Sequence, residues 1–452
     1  MISRVWSWER MAGMFWAGTV AAVYLLGGFE RIELMSYDWR MRLFAAPPAD
    51  RIVIVAIDNP SVKELSIWPW PRSLHTRMVE TLVGAGAKAI AFDIDFSTSR
   101  DADDDARFAR SVRRADRVVI PAFQDGRALE TGVLVEYANL PYPALHHAAR
   151  AVGSINIPID PDGVIRRSPI TSTILGETGW SFAVQVARVF LDVDRSPRPN
   201  DFHEGLGIGA ARLGNGPVSY IRFFGGPSTF PSVSYADVVA GRVDPALFKG
   251  KIVLIGATSL ELQDLRSTPF PGLMAGVEIQ ANTVETLLAG VGYRRTGRWE
   301  ILTGMAGIVL LWTIVPMVVH LRPQRNRRRR AAAIGVAGGM VLGVIGVGAI
   351  WSFHALWFMD AIPLAATACG QVVTSLIAGY ISAERRIEFQ SENLQALYRM
   401  GEETRSVTSV DRLADLLLTQ TRHLLAVDRL GVDLWDLTAT PQRVFRDARG
   451  SH

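Results

Sequence analysis

Cysteine and lysine are the residues that this sequence has least of. One cysteine, Cys369, stands among 452 residues, which excludes an intramolecular disulfide and any metal site built from several cysteines. Cys369 falls inside an apolar segment, where we expect it to act as a small buried hydrophobic residue. Four lysines stand against 44 arginines. Together with abundant alanine, this bias indicates a bacterial protein encoded by a GC-rich genome.

Motifs of catalysis and of cofactor binding are also missing. The eight histidines are scattered without a zinc-binding spacing, and there is no G-x-S-x-G nucleophile motif. The Gly-Lys pair at 250–251 lacks the earlier glycine of a phosphate-binding loop, and the DPDG stretch at 160–163 lacks the terminal glutamate of a calcium loop. We therefore interpret DPDG as a turn and expect no catalytic domain, no metal and no cofactor in this chain.

The net charge is only +4, and one cluster accounts for much of it. Basic runs often mark nucleic-acid binding, but this one lies between two apolar segments, so no nucleic-acid partner is expected. The cluster consists of six arginines within nine positions: Arg322, Arg325, Arg327, Arg328, Arg329 and Arg330.

Long hydrophobic runs, by contrast, are plentiful. Four segments have about the length needed to cross a hydrocarbon core of roughly 30 Å, namely 11–29, 299–320, 331–352 and 357–381. None carries a charged residue at mid-depth, where a charge usually marks a route for ions or protons. The sequence therefore predicts four transmembrane helices in contact with membrane lipid, and it disfavours a transporter.

The arginine cluster predicts the orientation of these helices. Short loops rich in arginine stay in the cytoplasm, so we place loop 321–330 and the N-terminus, 1–10, inside the cell. The long segment 30–298 is then extracytoplasmic, and the protein is a multi-pass protein of the bacterial inner membrane. Three arginines just before the second span oppose this orientation, but long translocated domains contribute weakly to the rule. The first span is too long for a usual signal peptide and has no clear cleavage site.

Two features of the third and fourth spans predict helix packing. Gly335, Gly339 and Gly343 recur every four residues and leave one helix face without side chains, which favours close approach of another helix. Gln371, in the fourth span, is expected to form a hydrogen bond between helices.

The extracytoplasmic segment alternates strand-like and helix-like pieces. RIVIVAID at 51–58 and AKAIAFDIDF at 87–96 are typical of strands buried on both faces, and the segments at 73–86 and 101–115 have helical patterns. Ser73 is a candidate N-cap of the first of these helices, and a last helix is expected at 276–290. This alternation predicts an α/β domain with a largely parallel or mixed sheet.

Four residues of this domain are candidate ligand-binding residues. Asp58, Asp93 and Asp95 lie at or just past the ends of predicted parallel strands, where open α/β sheets place their ligand crevices. Aspartates at strand ends also serve as helix and turn caps, so both roles stay open. Arg72 could bind an anionic ligand or pair with a local carboxylate. No residue is assigned a catalytic role.

Other conspicuous residues of the domain receive structural interpretations. Trp68 and Trp70 are expected to anchor the core or an interface. Arg166 and Arg167 follow the DPDG turn and are expected to be solvated.

A series of short motifs gives the domain a specific resemblance. Eight short motifs occur in a fixed order along the domain, with one predicted span before them and three after them. Together they resemble the type-two CHASE domain over about residues 31–290. That resemblance implies an extracellular sensory domain of the kind associated with cyclases and histidine kinases. Gln280 stands where such domains more often have histidine. The motifs are VAID, WPWPR (68–72), FDIDF (92–96), DPDGVIRR (160–167), FPSVSYADVVAG, KGKIVLIGAT, TPF (268–270) and GVEIQAN (276–282).

The cytoplasmic end carries two further predictions. Segment 382–406 has Ile387, Leu394 and Leu397 at heptad-compatible spacing, which favours a short dimeric signalling helix. Because the match spans barely two heptads, a lone amphipathic helix is the alternative. Segment 407–452 resembles the first helix and first strand of a GAF domain. A homodimer is therefore expected.

These observations predict a bacterial receptor that detects an extracytoplasmic ligand and relays the signal to a cytoplasmic output. The alternative is the input half of a truncated or split histidine kinase or nucleotide cyclase, in which case a kinase or cyclase is the cytoplasmic partner. An extracytoplasmic hydrolase using Asp58, Asp93 or Asp95, and a transporter, are less favoured.

Overall fold

The computed structural model describes residues 2–65, 68–128, 134–174, 177–193, 207–208, 211–212, 218–262, 264–320, 327–405, 429–435 and 441–447. The chain divides into two compact units. The sheet unit consists of Ala21–Met305 and Gly343–Ala365, and the helical unit consists of Met1–Val20, Ala306–Leu342 and Ala366–His452.

The helices of the described residues, in chain order, are α1 (Ile2–Leu25), α2 (Glu30–Leu43), α3 (Asn59–Glu64), α4 (Arg72–Gly84), α5 (Ala102–Ala115), α6 (Pro143–Ala148), α7 (Phe182–Leu191), α8 (Tyr235–Val239), α9 (Gly276–Ala289), α10 (Arg298–His320), α11 (Arg327–His354) and α12 (Ile362–Arg405). Short 3-10 turns occur at Pro245–Phe248 and Leu260–Leu262.

The strands are β1 (Ile52–Ile57), β2 (Ala89–Asp93), β3 (Val118–Ala128), β4 (Leu134–Asn139), β5 (Ala151–Ser154), β6 (Arg167–Pro169), β7 (Thr171–Ile174), β8 (Glu177–Trp180), β9 (Gly207–Ile208), β10 (Ala211–Arg212), β11 (Val218–Tyr220), β12 (Ser232–Ser234), β13 (Ile252–Ala257), β14 (Leu265–Ser267), β15 (Leu273–Ala275), β16 (Arg294–Arg295), β17 (Trp357–Phe358), β18 (Arg429–Trp435) and β19 (Pro441–Asp447).

A seven-stranded mixed sheet forms the centre of the sheet unit. Its order is β12-β1-β13-β2-β3-β4, and β5 also pairs with β3. Only the β3–β4 pair is antiparallel, so β12, β1, β13, β2, β3 and β5 all run in one direction. The prediction of an α/β domain with a largely parallel or mixed sheet is confirmed.

Helices cover both faces of this sheet because its central strands are apolar on both sides. Val53 and Val55 of β1 point into a core shared with Met78 of α4 and Phe108 of α5. The alternate residue Ile54 points into a second core on the opposite face, together with side chains of α7 and α9. Every residue of β1 is buried, as expected for a strand between two helical layers.

Most local predictions match the elements, with small differences at their ends. The predicted strands at 51–58 and 87–96 are β1 and β2, and the predicted helices are α4, α5 and α9. Ser73 is not an N-cap, because α4 begins one residue earlier, at Arg72, after the capping position Pro71. The N-cap of α5 is Asp101, whose side chain accepts a hydrogen bond from the backbone N–H of Asp104 at 2.8 Å.

Two of the four predicted spans correspond to helices that qualify as candidate membrane spans by their length and composition. Within the described residues, Ala331–His354 and Ile362–Ile381 are long and apolar enough to cross a membrane. Arg10–Leu25 and Glu30–Leu43, which are bent by 77° relative to each other, meet the same criterion as a pair. The second predicted span is helical as α10, but its last side chains lie outside the described part of the structure.

The start of the third span differs from the prediction. Arg327, Arg328, Arg329 and Arg330 do not form a loop but the first turn of α11; Arg322 and Arg325 lie outside the described residues. Within one chain, the predicted glycine face makes no close contact, since a Cβ placed on Gly335, Gly339 or Gly343 would meet no described atom within 4 Å.

Helix α11 packs instead along a neighbouring stripe. Gly338, one position away from the predicted face, approaches Val372 of α12, and a Cβ there would overlap the valine side chain. Ala349 and Phe353 lie 11 and 15 residues further on and are buried as well. These intervals follow the helical repeat on a different face from the four-residue glycine series.

The helical unit is held by hydrogen bonds between its helices. As predicted, Gln371 bonds between helices, donating from Nε2 to the carbonyl of Gly13 in α1 at 2.9 Å. Trp312 donates from Nε1 to Ser375 Oγ at 2.8 Å inside the unit. The predicted signalling helix at 382–406 continues the fourth span without a break, as the second half of α12.

A charged junction in the sheet unit ties together the starts of three helices. Arg295, just before α10, donates to both carboxylate oxygens of Glu30 at 2.7 Å and to Asp360 at 2.9 and 3.1 Å. Asp360 lies just before α12, is buried, and also accepts a hydrogen bond from Tyr24 of α1 at 3.0 Å. We call these four residues the juxtamembrane junction.

Replacement of Arg295 tests the importance of this junction. Arg295→Met leaves the buried Asp360 without its cation, and we expect a loss of about 3 kcal/mol in the free energy of unfolding, the usual cost of breaking a buried ion pair from one side. Arg294→Met is the matched control, because Arg294 is exposed and its pair with Glu300 is 4.0 Å long, so we expect a change below about 1 kcal/mol. Thermal and denaturant unfolding of the full chain in detergent measure both. Equal losses would contradict the junction's structural role.

Candidate ligand site

A cleft of about 420 Å³ opens at the edge of the sheet where the parallel strands end. Strands β2 and β13 are neighbours with parallel register, and α9 begins at the same edge, after the loop that follows β13. Open parallel sheets place their ligand crevices at this edge because the strand ends and the following loops diverge there. The cleft is therefore the candidate ligand site.

The walls of the cleft differ in character. The polar residues come from β2 and the residues after it, the loop after β5, the loop after β13 and helix α9: Asp93, Asp95, Asn156, Asp264, Arg266 and Gln280. The remaining side chains are apolar: Ile94, Phe123, Ile155, Ile157, Ile159, Ile165 and Ile279. Three carboxylates against one guanidinium favour a ligand with positive charge, and the isoleucines favour one with an apolar body.

Asp93 and Asp95 reach the cleft because β2 ends there. Asp93 is the last residue of β2 and is partly buried, whereas the side chain of Asp95 is exposed. Asp95 also accepts a hydrogen bond from the backbone N–H of Ser97 at 2.7 Å. Two of the four candidate residues from the sequence therefore lie together in the cleft.

Asp264 enters the cleft from the loop between β13 and α9. The backbone N–H of Gly276 donates to the carbonyl of Asp264 at 3.0 Å. A Cβ at Gly276 would overlap the carboxylate of Asp264, so only glycine leaves room for this side chain at the start of α9. Gln280, one turn later on α9, lines the same cleft.

Burial perturbs the protonation of the two inner carboxylates. Loss of solvent, with a smaller contribution from the charge of Asp264, raises the pKa of Asp93 from 3.8 to about 7. Burial also raises the pKa of Asp264, although Arg266, at 3.6 Å, opposes the shift. The charge of the cleft therefore changes near neutral pH, and a bound cation would favour its ionised form.

Asp58 and Arg72 have structural roles outside the cleft. The carboxylate of Asp58 caps α3, accepting from the backbone N–H of Ser61 at 2.9 Å and from the hydroxyl of Ser234 at 2.9 Å. Arg72 is buried and pairs with Asp105 at 3.2 Å. Both residues thus follow the structural alternatives that the sequence left open, a helix cap and a local ion pair.

The expectation that Arg166 is solvated is wrong. Its side chain is 1% exposed and makes ion pairs with Asp38 at 2.6 Å, Asp160 at 3.0 Å and Asp162 at 2.7 Å. Asp160 and Asp162 belong to the DPDG turn, whose Gly163 has φ +81°, and Asp38 belongs to α2. These hydrogen bonds raise the pKa of Arg166. Arg167 is partly buried and pairs with Asp160.

The cleft and helix α2 share one apolar cluster, which we call the aromatic cluster. Ile165 and Ile279 line the cleft and also belong to this cluster. At its centre the ring of Tyr37, from α2, lies 5.0 Å from Phe358 and 5.6 Å from Phe353. A continuous packed path therefore connects the cleft to α2 and to the end of α11.

Sequence reasoning missed Asn156, Asp264 and Arg266 as cleft residues. Asn156 and Asp264 lie in irregular segments, where position along a strand gives no information about orientation, and Arg266 lies on the short strand β14, which the sequence did not predict. The one available signal was the glycine at 276 opening the GVEIQAN motif. Within the described residues, no group of three or more His, Cys, Asp or Glu side chains could hold a metal ion.

Comparison with known proteins identifies the sheet unit and its flanking helices. The family model of the CHASE2 domain matches residues 15–320. No curated protein and no solved structure matches the chain. The resemblance of 407–452 to a GAF domain is not supported. Of that segment, the structure describes the antiparallel pair β18 and β19, and the predicted helix before them lies outside the described residues.

The raised pKa of Asp93 predicts a pH dependence of stability. Because the folded-state pKa is above the ordinary value, its stabilising effect is full below pH 3.8 and is lost as the pH rises through about 7. Asp93→Asn keeps a neutral group at every pH, so its melting temperature relative to the native chain should rise between pH 5 and pH 8. Asp95→Asn, an exposed carboxylate of the same cleft, is the control. Parallel pH profiles for Asp93→Asn and the native chain would contradict the assignment.

Proposed function

The chain belongs to the CHASE2 domain family, a family of sensory rather than catalytic domains, and we propose that it is a transmembrane receptor for a small extracytoplasmic solute. The observation that carries this proposal is the cleft at the carboxyl edge of the sheet, whose walls are also part of the aromatic cluster. A molecule bound in the cleft would contact Ile165 and Ile279, which belong to the same buried cluster as Tyr37 of α2. Ligand binding and the position of α2 are therefore coupled in this proposal.

The ligand that fits the cleft best is a small organic amine with an apolar body. Asp93, Asp95 and Asp264 supply negative charge on one side, and Gln280 and Asn156 supply further hydrogen-bond partners. Burial of the ammonium group beside Asp93 and Asp264, whose pKa values are raised by burial, would favour the ionised form of both carboxylates. Such a ligand should bind more tightly as the pH rises through about 7, the pKa of Asp93.

The proposed topology has four membrane-spanning helices, formed by α1, α10, α11 and the first part of α12. The sheet domain lies outside the cytoplasmic membrane, and the arginine-rich segment at 321–330 lies inside, as the positive-inside rule requires. Support comes from the two candidate spans Ala331–His354 and Ile362–Ile381. The second half of α12 is then cytoplasmic.

Two residues of the cleft wall, Ile279 and Ile165, connect the cleft to the membrane-proximal elements in the proposed signal relay. Ile279 lies on α9, whose C-terminus leads through β16 to Arg295 of the juxtamembrane junction. Ile165 is adjacent to Arg166, which holds Asp38 of α2. A ligand that fits one arrangement of these elements better than another shifts the population between them by its difference in affinity. The movement reaches α12 because Glu33 of α2 accepts a hydrogen bond from the backbone N–H of Ile362.

We propose that the output is delivered by a homodimer through the cytoplasmic part of α12. Ile387 and Leu394 on this helix are exposed within one chain, and so is the face with Gly335, Gly339 and Gly343. Both faces are available to a second copy. The chain would then act on a cytoplasmic kinase or cyclase, or form the input half of such an enzyme. A hydrolase mechanism is disfavoured because Asp58 is used as a helix cap.

A thermal-shift screen tests the proposed ligand class. The full chain in detergent is heated with a panel of monoamines, diamines and amino acids, alongside alcohols and carboxylic acids of matched carbon number. We expect one or more amines to raise the melting temperature by several degrees, since binding to the native state alone stabilises it by mass action. Asp264→Asn should abolish the shift, and Asp103→Asn, an exposed carboxylate on α5, should preserve it. Stabilisation by acids and not by amines would contradict the proposal.

Cysteine labelling in intact cells tests the topology. On a Cys369→Ser background, Asp103→Cys places a thiol on the exposed surface of α5, and Gln390→Cys places one on the exposed surface of α12. A membrane-impermeant maleimide should label the first variant in intact cells and the second only after the membrane is permeabilised. The opposite pattern would place the sheet domain in the cytoplasm and would remove the basis for an extracytoplasmic receptor.

A further inference from the structure

Helix α2 has two different faces, and one of them has no partner within the described residues of the chain. The face toward the sheet domain is buried and includes Leu34, Tyr37 and Met41. The opposite face is apolar and exposed: Ile32 is 50% exposed, Met35 62%, Trp39 56% and Leu43 55%. These four side chains, which we call the α2 stripe, are spaced three, four and four residues apart, as expected for one side of a helix.

An exposed apolar stripe of this kind is unusual on the outside of a water-soluble domain. Surface helices of soluble domains normally present charged and polar residues on the face away from the core. A contiguous apolar patch instead marks a protein or membrane contact. The stripe is also held in a fixed orientation, because Asp38 pairs with Arg166 and Arg40 donates to the carbonyl of Met359 at 3.2 Å, both on the domain side of the helix.

The connection between α1 and α2 indicates what lies against this stripe. The two helices meet at 77°, separated by four residues that include Gly27 with φ +81°. If α1 crosses the bilayer close to its normal, α2 lies nearly in the membrane plane, directly where the span ends. Leu26 in the bend is 87% exposed, as expected for a residue at the level of the lipid.

Tryptophans near the starts of α10 and α12 support the position of α2 at the membrane surface. Trp299, the second residue of α10, is 80% exposed, and Trp357, just before α12, is 43% exposed. Exposed tryptophans where helices enter a bilayer are typical of its interfacial layer. Arg31 near the start of α2 is exposed as well, and long basic side chains beside an apolar stripe commonly reach lipid phosphates.

We propose that α2 is an interfacial helix whose stripe of Ile32, Met35, Trp39 and Leu43 is immersed in the outer leaflet of the membrane. This inference rests on the proposed topology, in which α1 crosses the bilayer. A lipid surface is favoured over a second copy of the chain because four side chains are few against the roughly 20–30 residues per partner of a standard protein interface. The stripe would anchor the relay helix to the membrane surface on the side opposite the ligand cleft.

Spin labelling of the full chain in lipid nanodiscs tests this inference. On the Cys369→Ser background, single cysteines replace Met35 or Leu43 on the stripe, Phe15 on α1, and Arg113 on the exposed side of α5. The collision rates of the label with oxygen and with a water-soluble nickel complex are measured for each. We expect the oxygen-to-nickel ratio to be several-fold higher for Met35→Cys and Leu43→Cys than for the aqueous control Arg113→Cys. Phe15→Cys should give a ratio higher still.

Each other outcome has a defined meaning. Ratios for the stripe equal to that of Arg113→Cys would place α2 in water and overturn the inference. Low collision rates with both reagents, together with a short distance between two labels, would show that a second copy covers the stripe, which also overturns it. A high ratio for Phe15→Cys in either case would leave the proposed topology intact. A low oxygen-to-nickel ratio for Phe15→Cys would instead refute the topology itself.

Discussion

The ion cluster centred on Arg166 is the interaction on which the rest of the sheet unit depends. A fully buried guanidinium is costly unless its charge and its donors are satisfied, and here three carboxylates satisfy them. Two come from one turn of the domain, and the third, Asp38, comes from α2, 128 residues away in the sequence. The pairing fixes α2 on the domain and, through the neighbouring Ile165, fixes one wall of the cleft. Removal of any carboxylate would therefore affect the membrane-proximal helix and the cleft together.

The apolar core and the candidate ligand site occupy different parts of this domain. The central strands, apolar on both faces, make a rigid layer between helices, and the polar residues of the candidate ligand site lie at the edge where these strands end. Ile165 and Ile279, which line the cleft at that edge, also belong to the aromatic cluster around Tyr37. In the proposed receptor, a change of fit in the cleft acts on α2 and on the juxtamembrane junction, because a close-packed interior transmits displacement rather than absorbing it.

The sequence predicted what depends on local pattern and missed what depends on distant partners. The β-branched runs of β1 and β2 and the capped helix α5 follow from neighbouring residues, and Asp93 and Asp95 follow from the position of a strand end. Arg166 could not be recognised as buried because Asp38 is brought to it only by the fold. Asp264 lies in an irregular loop, and the glycine face of α11 is displaced by one position from the stripe that packs. The bend after Leu25 could not be predicted either, because hydropathy shows only a continuous apolar segment there.

The unbroken length of α12 has a mechanical consequence. Its 44 residues extend about 66 Å at the usual rise of 1.5 Å per residue. A rod of that length works as a lever: a tilt of about ten degrees at Ile362 carries the far end sideways by about 11 Å. Sub-ångström adjustments around Glu33 and Asp360, too small to alter any domain visibly, would thus arrive at Arg405 magnified. In the proposed homodimer, two such helices would convert a small tilt into a change of spacing between their cytoplasmic ends.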